Sequence, residues 1–210
     1  MSVTTGIVLG AATYWITQTA VAVSAASGVL EAGRKRFDLF GMVIVGLAAA
    51  IGGGSVRDLL LDRPVFWVQD QTYLIVAIVT ALLIFFLARR IPLPPRLFLV
   101  PDALGLALYT VVGTKVALAM GTPGLVASFM GVITGVVGGI LRDVLCNEEP
   151  VVFQGTLYAT LAWGGALALI GFYLLPLSTP WPELLAGGLI FLGRLVAMRW
   201  QIGLPKFHAR

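Results

Sequence analysis

Apolar runs long enough to cross a bilayer follow one another along the whole chain, separated only by short clusters of charge, proline and polar residues. A helix needs about 20 such residues to traverse the roughly 30 Å hydrocarbon core of a membrane. The runs fall at about 12–30, 39–61, 72–88, 103–120, 124–146, 153–175 and 183–200. They leave no stretch for a separate soluble domain. The sequence therefore predicts an all-α integral membrane protein, a single membrane domain over 1–210 with seven transmembrane helices. Composition agrees, with 59% hydrophobic residues, 11% charged and a mean hydropathy of +0.97. An ordinary soluble domain is about a quarter charged. A chain this poor in charge cannot cover itself with a water-compatible surface, which excludes a soluble enzyme, a disordered protein and a secreted disulfide scaffold. Cys146, the only cysteine, can form no intrachain disulfide.

Residues 1–13 carry no Lys or Arg, so the basic segment of a signal peptide is missing and the first run reads as a permanent helix. The net charge of +4 then reports orientation rather than nucleic-acid binding. With seven spans, 11 of the 14 Lys and Arg fall on the side of the C-terminus, while Arg57 and Arg63 fall on the other and Lys115 lies inside the fourth run. Cytoplasmic loops carry the basic excess, which puts the N-terminus outside and the C-terminus in the cytoplasm.

The second run contains Ile51-Gly52-Gly53-Gly54-Ser55-Val56-Arg57-Asp58 followed by Pro64-Val65-Phe66. The fifth contains Val137-Gly138-Gly139-Ile140-Leu141-Arg142-Asp143 followed by Pro150-Val151-Val152-Phe153. Gly53, Gly54, Arg57 and Asp58 each recur 85 positions on. This reads as an internal duplication of three helices, repeat one over about 12–90 and repeat two over about 101–176, with the seventh helix at about 183–200 outside it. Three is odd, so the second copy enters the membrane from the opposite face. Inverted repeats of this kind place a binding or permeation site near the midplane, flagged by matched glycine-interrupted segments.

Consecutive glycines let a backbone leave helical angles, so the second and fifth helices are expected to be kinked at Gly52, Gly53, Gly54 and at Gly138, Gly139. Carbonyls freed there cannot face lipid and are good ligands for a cation. The competing reading is close helix packing through small residues, as in the pairs Gly131/Gly135 and Gly135/Gly139. Ser55 and Thr134 adjoin the clusters and either line a pore or bond back to their own helices.

Ionisable groups within apolar runs are expensive and mark function. Lys115 either snorkels towards the surface or faces a cavity and gates cations. Arg57, Asp58, Arg142 and Asp143 either ring the pore mouths or form ion pairs that pin the helices, the second being favoured for the arginines. Asp102 is placed as the N-cap of the fourth helix, with Thr17 at the matching position of repeat one. Glu31 beside Arg34, Lys35 and Arg36, and the tail with Lys206, His208 and Arg210, read as interfacial charge; Trp67, Trp163, Trp181 and Trp200 fall near predicted helix ends, as belt residues do. No Cys, His and carboxylate grouping has metal-ligand spacing, and no nucleophile constellation suggests an enzyme.

These motifs resemble the prokaryotic members of the trimeric intracellular cation (TRIC) channel family, which overlaps a bacterial membrane family called glycine transporters. The likeness is carried by Gly33-Arg34-Lys35-Arg36-Phe37-Asp38-Leu39-Phe40-Gly41, the segment Ala50 to Asp58 with Pro64-Val65-Phe66-Trp67, Asp102-Ala103-Leu104-Gly105-Leu106-Ala107, Gly113 with Lys115, and Gly138 to Asp143. The resemblance implies a homotrimer with one pore per protomer, between the kinked second and fifth helices. It implies passive, potassium-favouring flux of monovalent cations, a gating role for Lys115, and a prokaryotic inner membrane. Permeant K+ or Na+ and membrane lipids are the only expected small-molecule partners, with no other cofactor. Thr17 departs from the acidic residue many relatives carry. A secondary transporter of glycine or another small amino acid stays open beside the channel, since broken inverted repeats serve both; a membrane scaffold is the third reading.

Overall fold

The computed structural model describes residues 10–90, 94 and 96–205. The tail residues Lys206, His208 and Arg210 and the first nine residues lie outside the described part. Eight helices follow in order: α1 (Ala11–Ala32), α2 (Leu39–Leu60), α3 (Phe66–Gln69), α4 (Thr72–Ala88), α5 (Leu99–Ala119), α6 (Gly124–Leu145), α7 (Ala159–Phe172) and α8 (Trp181–Trp200). α3 is a single turn. Among the rest, α2, α5, α6 and α8 are long and apolar enough to cross a membrane, and α4 and α7 are apolar but shorter.

Local chemistry sets the ends. Arg36 adopts a left-handed conformation (φ 56°) after α1, and the Asp38 carboxylate caps α2 by accepting from the Gly41 amide at 2.7 Å. The fourth apolar run becomes a helix four residues earlier than expected, because Pro101 falls within the first turn, where its missing N–H costs nothing. Asp102 is therefore inside α5 and not its N-cap, a correction to the sequence expectation. The sixth run starts late: Val151–Phe153 form a 3-10 turn and Gly155 sits at φ 88°, so α7 begins at Ala159.

α5 is the central helix. In its most apolar window 83% of residues are buried, against 33% for α6 and for α8. On the periphery, Ile75, Val79, Leu83 and Phe86 of α4 and Leu185, Leu189 and Leu192 of α8 are exposed. An apolar belt of this extent has no place on a soluble monomer and suits lipid.

The helices of the two halves pack through mated positions. Gly53 of α2 lies against the Thr134 carbonyl of α6, and Gly138 of α6 lies against the Ala49 carbonyl of α2. Ala49 and Thr134, like Gly53 and Gly138, are 85 residues apart. Moving forward along α2 means moving backward along α6, so the two cross antiparallel at this point. Within each half the same mating holds: a Cβ on Gly28 would stand 2.9 Å from the Val45 carbonyl oxygen, and one on Gly113 would stand 2.9 Å from that of Met130.

The glycine clusters do not interrupt the second and fifth helices. α2 runs without interruption through Gly52, Gly53 and Gly54, and α6 runs through Gly138 and Gly139. The glycines are spent on close approach: a side chain at Gly53 or Gly138 would overlap the facing backbone. Small residues at such spacing let two helices touch backbone to backbone, which leaves their carbonyls in helical hydrogen bonds.

Candidate functional site

Beside the α2/α6 crossing is a cavity of ≈ 10 Å³ lined by Ser24, Ser27, Asp102, Tyr109, Thr134 and Arg142, with Gly138 and Gly139 on its wall. That is about the volume one water needs. Hydroxyls, a carboxylate and a guanidinium converge there from α1, α5 and α6. At one end Arg142, 1% exposed, donates through Nη1 to Ser27 Oγ at 2.7 Å and to Asp102 Oδ1 at 2.5 Å, and through Nε to Asp143 Oδ1 at 2.8 Å. The Tyr158 hydroxyl donates to the same Asp102 oxygen at 3.3 Å. Beyond Arg142 opens a larger polar cavity of ≈ 400 Å³ that includes Glu31, Arg34, Asp143 and Arg194. In the other direction, the Tyr109 hydroxyl donates to the Ala50 carbonyl of α2.

The two Arg-Asp pairs are buried corners rather than exposed rings. Asp58 Oδ1 accepts from Arg57 Nε at 2.9 Å while Oδ2 takes the Phe66 amide at 2.9 Å, fastening the loop after α2. Asp143 does the same eight residues upstream of the Val151 amide, also at 2.9 Å. The turns match too: Asp62 and Asn147, 85 apart, both sit in left-handed conformations (φ 50° and 51°). The ion-pair partners of Arg142 come from its own half, with Ser27 of α1 as a further hydrogen-bond partner, while among the described residues Arg57 pairs with Asp58 and lies over the Phe66 ring.

Lys115 neither snorkels nor faces the small cavity. It is 6% exposed and its Nζ lies 2.6 Å from Glu183 Oε1 of α8, which also accepts from the Tyr173 hydroxyl at 3.0 Å. Glu183 occupies the first turn of α8, where the helix dipole favours a carboxylate. Ser55 and Thr134 both bond back within their helices, to the Ile51 carbonyl at 2.7 Å and the Met130 carbonyl at 2.6 Å. Ser55 additionally accepts from Trp67 Nε1 at 2.8 Å, which turns this tryptophan inward instead of leaving it free in the belt. Gly52 faces Leu141, Gly54 the Phe66 ring, and Gly139 the Tyr158 hydroxyl. At the rim of the larger cavity Lys35 pairs with Glu148 at 2.6 Å, and that hydrogen bond and charge hold the Glu148 carboxyl below its ordinary range. Among the described residues no group of His, Cys, Asp and Glu could hold a metal.

Sequence reasoning missed Glu183, Arg194, Tyr158 and Ser27. Glu183 and Arg194 were legible as charges within an apolar run, the signal that singled out Lys115; the two others carry no signal of their own.

The family described as glycine transporter matches this chain twice, at residues 14–89 and again at 99–174. The second match begins and ends 85 residues after the first. The UPF0126 inner membrane protein YadS of Escherichia coli K12 is 42% identical over 197 residues, 92% of this chain and 95% of that protein. Among solved structures, the TRIC trimeric intracellular cation channel orthologue from Rhodobacter sphaeroides is 34% identical with a TM-score of 0.87, covering 92% of this chain and all of that one. A second protein described among TRIC cation channels is 27% identical with a TM-score of 0.83, covering 94% and 98%. With its exposed apolar belt and these relatives, the chain is a membrane protein with the TRIC channel fold, it is related to the UPF0126 membrane proteins, and it belongs to the family described as glycine transporter.

Proposed function

We propose that the chain is a potassium-permeable monovalent-cation channel, a homotrimer with one pathway in each protomer. The observation that carries this reading is the likeness over 92% of the chain to the Rhodobacter sphaeroides cation channel. In this reading all seven long helices span a prokaryotic inner membrane, N-terminus outside and C-terminus cytoplasmic, and the halves are inverted repeats. The antiparallel α2/α6 crossing and the doubled family match support the inversion.

The pathway follows the α2/α6 crossing through the small cavity. A cation there meets the hydroxyls of Ser24, Ser27 and Thr134 and the Asp102 carboxylate, not the freed carbonyls that broken helices would offer. In this reading the pathway is closed at rest. Arg142, held on Ser27 and Asp102, blocks the end towards the larger cavity, and Tyr109, held on the Ala50 carbonyl, ties α5 to α2. Opening requires α2 and α6 to slide or bend apart, and the glycines at 52–54 and 138–139 are where they can do so at least steric cost. Lys115 with Glu183 anchors α8 to α5 and shapes the protein rather than the path. Potassium loading of proteoliposomes, followed by a dilution-driven flux assay, tests the reading; K+ and Na+ efflux above protein-free vesicles is the expected result.

The family's description favours a second reading, a transporter of glycine or another small amino acid. Its signature is saturable uptake of labelled glycine with little flux of K+ alone.

A further inference from the structure

The cavity of ≈ 400 Å³ beyond Arg142 falls within the size range of small-ligand sites. It is lined by charge, and most of that charge is already paired. Both oxygens of Glu31 accept from Arg34 Nη1, at 2.9 and 3.0 Å. Asp143 is taken up by Arg142 and the Val151 amide, and Glu148 by Lys35. Three charged lining groups are left over: Arg96, Glu149 and Arg194.

Arg194 is the unusual one. It projects from α8, is 1% exposed and stacks over the Tyr158 ring at 4.8 Å. Its Nη1 donates to Thr156 Oγ1 and to the Leu157 carbonyl, both at 2.8 Å, and its Nε has no hydrogen-bond partner. No Asp or Glu side chain forms an ion pair with it, and all 10 of them lie among the described residues. A buried guanidinium outside any direct ion pair is costly. Its fork of donors is shaped for phosphate and carboxylate oxygens. Arg96, exposed and outside any ion pair among the described residues, supplies a second cation to the lining of the same cavity, and the unused N–H groups of Arg34 a third.

We infer that this cavity binds a phosphate-type oxyanion, held by Arg194 and Arg96. The exposed carboxylate of Glu149 works against polyanions and so selects a single phosphate group. The group arrives either free in solution or on the headgroup of an anionic phospholipid. Bound there, it supplies the direct ion-pair partner that no Asp or Glu side chain gives Arg194 and steadies the join between α8 and the segment before α7.

The test is thermal unfolding of the purified full-length protein. One arm uses uncharged detergent with inorganic phosphate titrated against chloride at matched ionic strength; the other compares nanodiscs of phosphatidylglycerol with nanodiscs of phosphatidylcholine. A saturable rise in Tm with phosphate supports the site with a free ligand, and a rise confined to phosphatidylglycerol supports it with a lipid one. Arg96→Gln removes one charge-assisted contact from an exposed position and leaves every bond of Arg194 in place, so it should weaken the effective binding about tenfold. No saturable rise in either arm, or a rise unchanged in Arg96→Gln, overturns the inference. Because the readout is stability and not ion flux, either outcome is independent of the channel reading.

Discussion

The corner after α2 and the corner after α6 are built from the same motif and carry opposite charge. After α2, two cations share one carboxylate: Asp58 Oδ1 lies 2.8 Å from Arg57 Nη2 and 3.4 Å from Arg63 Nε. After α6, two carboxylates share one cation: Arg142 lies 2.5 Å from Asp102 and 2.8 Å from Asp143. The difference traces to two substitutions between the repeats. Asp102 stands where repeat one has Thr17, and Glu148 stands where it has Arg63. The two corners share what the backbone needs, the glycine approach and the aspartate that caps the loop, and differ in their buried charge. On the proposed cation pathway between the two halves, one end is rich in carboxylate and the other poor in it. Each buried arginine keeps one unpartnered nitrogen, Nη1 of Arg57 and Nη2 of Arg142, so the contrast lies in the carboxylates and not in the guanidinium ends.

Breaking the carboxylate-rich corner should have the largest effect. Asp102→Ala leaves Arg142 with one carboxylate in a site 1% exposed, and removing one partner of a buried ion pair costs about 3–5 kcal/mol. Arg63→Gln, at the half-open corner, still leaves Asp58 with Arg57 and should cost at most about 1 kcal/mol. Thermal unfolding in detergent compares the two; equal losses would erase the distinction between the corners.

Next comes the Lys115–Glu183 pair, which ties α5 of the duplicated part to α8 outside it. Lys115→Met alone should destabilise by about 3–5 kcal/mol, and adding Glu183→Gln should recover most of the loss. A double-mutant cycle with no coupling would show that the pair holds nothing together.

The crossing glycines should respond alike because their surroundings are mated. Gly53→Ala and Gly138→Ala each place a methyl group against a facing carbonyl, and overpacking of this kind costs about 1–3 kcal/mol. The two losses should be similar, and both variants should alter flux in liposomes. A large loss at one glycine with none at the other would contradict the mating.

The smallest effect belongs to the rim. The depressed Glu148 carboxyl contributes stability that is complete above its ordinary value of 4.5 and is lost as pH falls through its lower folded value. Lys35→Gln should flatten this acid limb of a pH–stability curve, by less than about 1 kcal/mol for so exposed a pair.

Much of this fold was legible in the sequence because hydrophobic length and an 85-residue echo are strong signals. The bounds of α2 (Leu39–Leu60) and α4 (Thr72–Ala88) fall at or within one residue of the apolar runs. The glycine clusters were legible as a special place but not as a special geometry, since a missing Cβ permits a broken helix and a close approach equally. Ala49 and Gly53, with Thr134 and Gly138, spell the small residues at four-residue spacing that favour approach. The partner of Lys115 was out of reach for a different reason. Glu183 is 68 residues away on a helix outside the repeat, so no internal symmetry points to it. Arg142 could be read as paired, but its choice of Asp102 and Ser27 depends on how α1, α5 and α6 meet.

The central claim is that the mated α2/α6 crossing is a closed cation path. Planar-bilayer recording of the purified protein across a KCl gradient tests it most directly. The account predicts unitary currents that reverse towards the potassium equilibrium potential and disappear in the double variant Gly53→Leu, Gly138→Leu. Silent bilayers from protein that takes up labelled glycine saturably in liposomes would contradict it.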